Sequence, residues 1–168
     1  MLRTIFAFAV MLLSAFAGAA VAQDYPTRPV SLIVPFAAGG PTDTLARNLA
    51  QHMTKTLKQQ VIVENRVGAG GTLGVGIVAK SKPDGYQVLL HHIGMSTAPT
   101  LYRKLQFNPL TDFEYIGQVA DVPMTLIART GLPPDNYKDF VTYIKANKDK
   151  LNMGNAGLGA ASHLCGLL

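Results

Sequence analysis

The stretch SLIVPFAAGGPTDTLAR, Ser31 to Arg47, constrains the fold more than any other part of the 168-residue chain. Leu32, Ile33 and Val34 form an apolar run that stops at a turn rich in Pro, Ala and Gly. A helix signal follows at once: Pro41, Thr42 and Asp43 open it, and Leu45, Leu49, Met53 and Leu57 recur at every fourth residue. A buried strand feeding a glycine turn and then a helix start aims free backbone N–H groups at one place. The helix macrodipole adds about half a positive charge there. The pattern predicts an anion site that needs no catalytic side chain.

The start of the chain bears on compartment. Arg3 precedes an apolar run from Ile5 to Ala17 that is too short and too weakly flanked for a stable membrane span. Ala20, Val21 and Ala22 then place small residues where a signal peptidase reads them, so residues 1–22 are expected to be a signal peptide cut after Ala22. No cysteine stands at that cut, which argues against a lipid anchor there. The single cysteine, Cys165, allows no intrachain disulfide and reads as a small apolar residue beside Leu164, Leu167 and Leu168. The formal charge of +5 is scattered, with no block of like charges, and does not argue for nucleic acid.

Along the rest of the chain, strand and helix signals alternate. Strands are predicted at Val30–Val34, Val61–Glu64, Tyr86–His91, Phe113–Ala120, Pro123–Arg129 and Leu151–Gly154. Helices are predicted at Thr42–Leu57, Thr72–Lys80 and around Pro99–Lys104. Another starts from Pro133-Pro134-Asp135 and carries Tyr137, Phe140, Val141 and Ile144 on one face. Gly74 and Gly76 weaken the second helix by about 1 kcal/mol each against Ala unless they allow close packing. The alternation predicts an α/β fold on a mostly parallel sheet.

The last segment repeats the logic of the first. Leu151 to Gly154 leads into the turn Asn155-Ala156-Gly157-Leu158-Gly159, and Ala160, Ala161, Ser162 and His163 open a helix. Small residues again permit close backbone approach, and Ser162 has the chemistry of a cap or donor. Two such ends, facing each other at the carboxyl side of the strands, would pinch a carboxylate.

Several sharper motifs fail on inspection. Gly68 to Gly74 imitates a dinucleotide fingerprint but lacks the G-x-G-x-x-G register and the acidic residue about 20 positions on. Gly39-Gly40-Pro41-Thr42 lacks the lysine of a P-loop. As neighbours in a strand, His91 and His92 would face opposite sides and share no metal ion, giving one core and one cleft-facing ring. Ser162, His163 and Cys165 have no assignable base and carboxylate, so no catalytic set, cofactor or metal site is expected. Asp43 carries the wrong sign for an anion site. It either folds back to cap the turn or receives an ammonium group from an amino-acid ligand.

The runs PFAAGGPTDTLAR, VENRVGAGGTLG, AKSKPDGY, PTLYRKLQFNPLTDFEYI and NMGNAGLGAASHL, in this order and spacing, resemble one family. They are similar to the extracytoplasmic solute receptors of tripartite tricarboxylate transporters, the Bug proteins. The resemblance implies a periplasmic binding protein of type II topology, with two lobes and a hinge near residues 113–123. It implies a first lobe over 23–120 and a second begun at 121–168, in a chain expected to be cut within that second lobe.

By the same likeness Phe36, Ala38, Gly39, Gly40, Pro41, Thr42 and Asp43 form one half of a carboxylate pincer. Asn155, Ala156, Gly159, Ala160, Ala161, Ser162 and His163 form the other. His92, Gly94 and Ser96 belong to a third loop that varies with the ligand. The implied function is a monomeric periplasmic receptor that captures a small carboxylate and delivers it to the membrane permease subunits. A ligand-sensing adaptor for a signalling system and a periplasmic enzyme are the alternatives. The adaptor differs in docking on a sensor, the enzyme in needing a titratable pair in its cleft.

Overall fold

The computed structural model describes residues 24–168, so the signal-peptide reading lies outside the described residues. Three parallel strands, β1 (Val30–Val34), β2 (Val61–Asn65) and β3 (Gln87–Leu89), form a sheet in the order β2-β1-β3. Helix α1 (Pro41–Leu57) connects β1 to β2. Helix α2 (Thr72–Ala79), entered through a 3-10 turn at Ala69–Gly71, connects β2 to β3. Helices α3 (Gly94–Leu101), α4 (Tyr137–Ala146) and α5 (Ala161–Leu167) follow.

Alternation along β1 divides the core between two faces. Val30, Leu32 and Val34 pack with Ala46, Ala50, Leu45, Leu49 and Met53 of α1. On the opposite side Val75 of α2 meets Met95 and Ala98 of α3, with Phe107, Leu89 and Tyr102 around them. The sheet therefore lies between helices on both faces, the arrangement that buries near-continuous apolar strands such as Leu32-Ile33-Val34. Close packing also explains Gly74: a Cβ there would lie 2.8 Å from both Arg66 O and Pro35 Cβ. The intrinsic helix cost of that glycine is offset by a contact no other residue permits.

Several predicted elements differ. The third strand ends at Leu89, two residues short of His91. The helix expected at Pro99–Lys104 forms instead at Gly94–Leu101 with Pro99 inside it. Met95 and Ser96 N–H groups, donating to His92 and Ile93 carbonyls, start it upstream of the proline. The helix after the double proline begins at Tyr137, where Asn136 Oδ1 accepts from Asp139 N at 3.0 Å. Residues 113–120, 123–129 and 151–154 form no strand. Apart from the half-buried Phe113 and Leu151, their apolar residues are exposed, with Ile116 and Ile127 each 87% accessible. A strand exists only where a neighbouring edge accepts its hydrogen bonds, and among the described residues none is brought alongside these segments.

Candidate functional site

The strand order makes the carboxyl end of β1 a topological switch point. The connection leaving β1 crosses one face of the sheet, and the connection entering β3 crosses the other. Two loops diverge there, 35–40 after β1 and 90–93 after β3, and a third, 155–160, packs against α3.

The first loop is held from beneath. Asp43, only 1% exposed, accepts hydrogen bonds from Gly39 N (2.8 Å), Arg47 Nε (2.8 Å) and Asn65 Nδ2 (2.9 Å). The Arg47 hydrogen bond first, then those from Gly39 and Asn65, hold its carboxyl well below the usual carboxylate range. Asn65 also donates to Phe36 O at 3.0 Å, so the end of β2 is tied to both ends of the turn. Asp43 thus folds back on the turn, and its carboxylate is occupied by protein donors.

The same bonding corrects a simple picture of the turn. Gly39 N donates to Asp43 and Gly40 N to Ala37 O (3.2 Å), so these two amides are not outward donors. Pro41 has no N–H, and Thr42 and Asp43 N–H lie in the first turn of α1, where no helical acceptor exists. Outward donor capacity therefore rests on Ala37 and Ala38, whose amides bond no described backbone acceptor, and on Thr42 and Asp43.

In the 90–93 loop His91 and His92 lie side by side, with ring centroids 4.9 Å apart and both half-buried. The expected opposition of the two rings fails because β3 has already ended and its alternation no longer applies. Phe36 stacks on His92 at 4.2 Å and 22° and meets His91 edge-on at 5.2 Å. Burial lowers the His91 pKa, and burial with the neighbouring His91 lowers that of His92 to about 4. Ser96 turns its hydroxyl back to Ile93 O at 2.8 Å.

The 155–160 loop meets this group through α3. Thr97 Oγ1 donates to Gly159 O (3.2 Å) and Tyr102 OH to Leu158 O (2.8 Å). Gly159 has φ +78°, and a Cβ there would lie 2.7 Å from Leu101 Cδ1; only glycine fits. Ala160 is fully buried. The loop's polar side chains serve its own backbone: Asn155 Oδ1 accepts from Gly157 N, Ser162 Oγ from Ala156 N and His163 Nδ1 from Gly159 N. Among the described residues Ser162 and His163 form no nucleophile–base pair, and no cluster of three or more metal-ligating side chains occurs.

The structure thus joins Phe36, His92 and Gly94 with Gly159, while Ala156 and Asn155 sit on the exposed side of their loop. Arg47, Asn65, Thr97 and Tyr102 complete the arrangement and were not anticipated. Asn65, a polar residue closing the apolar run of β2, is the one with a readable signal. A groove between α2 and residues 102–106 lies apart from these loops.

Comparison with known proteins agrees with this architecture. Residues 45–166 match the tripartite tricarboxylate transporter family receptor, TctC. A UPF0065 protein from the TAR-I ttuE-ttuC' intergenic region of Agrobacterium vitis is 52% identical over 150 residues, covering 89% of this chain and 43% of that one. The periplasmic binding protein BugD is similar at TM-score 0.82 and 58% identity, over 84% of this chain and 48% of its own. MatC from Rhodopseudomonas palustris, solved with bound malate, is similar at TM-score 0.81 and 40% identity, over 85% and 49%. The chain spans about half the length of these relatives. No described helix is long and apolar enough to cross a membrane. The chain belongs to the tripartite tricarboxylate transporter receptor family, the TctC or Bug-type solute-binding receptors.

Proposed function

We propose that the whole receptor captures a small carboxylate between two lobes in the periplasm and hands it to the membrane permease of a tripartite tricarboxylate transporter. The observation that carries this reading is the switch-point site. It offers backbone donors at the start of α1, held in place by the buried Asp43 and its donors Arg47 and Asn65, in a chain 40% identical to a malate-bound relative. We place the lobe boundary near residue 120, with 23–120 in the first lobe and 121–168 opening the second.

The carboxylate docks on the amides around Ala38, Thr42 and Asp43, and the Asn155–His163 loop approaches it from the other lobe. Closure removes water and strengthens each charge-assisted hydrogen bond, which favours the closed state. The site binds and releases without chemical change. The permease then reads the closed shape.

A thermal-shift panel of L-malate, succinate, adipate and citrate tests the reading on the mature protein. One of them at a hundredfold excess over its Kd stabilises by about 2.7 kcal/mol. Gly40→Val removes that shift, because a Cβ at Gly40 already lies 3.2 Å from Ala37 O and a branched side chain displaces the turn. A shift that persists undiminished in Gly40→Val overturns the assignment of this turn.

A further inference from the structure

The carboxylate reading leaves open what the His92 ring does. Gly94 N donates to His92 Nδ1 at 3.0 Å. A ring nitrogen that accepts carries no proton, so the neutral ring bears its hydrogen on Nε2. An imidazolium would set a second N–H against that of Gly94. Nothing loosens this geometry: Phe36 covers one face of the ring. A Cβ at Gly94 would lie 3.0 Å from His92 Cε1 and 3.3 Å from Gly159 O, so the Gly94 backbone is wedged between ring and loop. His92 Nε2 has no partner among the described residues, and no fully buried polar side-chain atom among them is left unsatisfied, so Nε2 of this half-buried ring is not sealed from solvent.

Among the described residues these loops supply no free cation. Loop segments 35–43, 90–98 and 154–163 contain no Lys or Arg. Arg47, one turn into α1, is bound to Asp43 and Asn65. Asp43 is occupied by protein donors, and His163 holds the Gly159 amide. His91 is the titratable neighbour on the same segment.

We propose that His92 is a specificity-determining residue of the carboxylate site: fixed as the neutral Nε2–H tautomer, it donates one hydrogen bond to an oxygen of the bound compound. The proposal rests on the carboxylate reading above and deepens it. These loops then meet an anion through neutral donors. Affinity does not climb as pH falls through the ordinary histidine range, as it does when an imidazolium pairs with a carboxylate. Gln places a neutral N–H near the Nε2 position, whereas Phe keeps the stack on Phe36 and removes the donor.

Nitrogen-15 NMR of the histidine rings in the mature protein tests the tautomer without any ligand. The Nε2–H form of His92 at pH 7 is expected; an Nδ1–H form or an imidazolium overturns the proposal. Calorimetric titration with the same four carboxylates, between about pH 6 and pH 8, tests the role. His92→Gln is expected to weaken binding only a few-fold, His92→Phe by about tenfold to a hundredfold, with wild-type affinity flat across the range. Wild-type affinity that rises tenfold toward pH 6 overturns the neutral donor. Binding abolished by Gly40→Val but untouched by His92→Phe overturns this proposal alone. Binding that neither variant changes, or no binding of any of the four, overturns the site itself and this proposal with it.

Discussion

Asp43 illustrates how one residue type takes opposite meanings from its bonding. A carboxylate at an anion-directed helix start is repulsive to the ligand unless its charge is consumed, and here three donors consume it. It then acts as an internal acceptor that fixes the turn. The two histidines are held the other way, with burial favouring their neutral forms. Because their folded values lie below the ordinary value near 6.5, the unfolded chain takes up protons first as pH falls. The contribution of His92 is complete above about pH 6.5 and is lost as the pH approaches about 4. Scanning calorimetry is expected to record a falling Tm from pH 7 to pH 5 and a shallower fall in His92→Gln. An equal slope in both proteins removes His92 from the explanation. Asp43 adds its own loss only below about pH 4, where the unfolded carboxyl protonates and the folded one does not.

At the scale of elements, the ends of β1, β2 and β3 are coordinated by few contacts. Asn65, the last residue of β2, donates both to Phe36 O and to Asp43 Oδ1, and receives Arg47 Nη2 on its own oxygen at 3.3 Å. Asn65→Ala leaves a carbonyl and a half-bonded carboxylate behind and is expected to cost about 1–3 kcal/mol in urea unfolding. It also weakens carboxylate binding by displacing Phe36, whereas Asn65→Asp loses the donors and sets two acids together. A variant with wild-type unfolding and wild-type binding contradicts this role. Gly159, between α3 and α5, makes the complementary case. Its φ of +78° and its contact with Leu101 exclude a side chain, so Gly159→Ala is expected to loosen the 155–160 loop from Thr97 and Tyr102. Faster amide exchange at Ala160 in that variant is the measurement that checks it.

At the scale of the whole molecule, stability is concentrated where β1 meets α1. Leu32 is fully buried at the centre of that layer, and Leu32→Ala is expected to cost about 2–5 kcal/mol. That is a large part of the roughly 5–15 kcal/mol typical of a domain, so the urea midpoint falls steeply. The sequence by itself determined this layer. The periods of Val30–Val34 and Leu45–Leu57, the turn between them, and the short β2 run are local patterns whose buried faces need only each other. It also determined, through its motif runs, the family to which the chain belongs. The tertiary structure alone decided three things. The runs over 113–129 and at 151–154 form no strand, because ladder bonds need an edge that no local pattern supplies. His91 and His92 face the same neighbour because the strand stops early. The amides of Gly39 and Gly40 turn inward because Asp43 and Ala37 O reach them first. In each case the deciding partner is supplied by the folded geometry. Periodicity records which residues prefer burial or a turn; which donor meets which acceptor is settled only when the chain is folded.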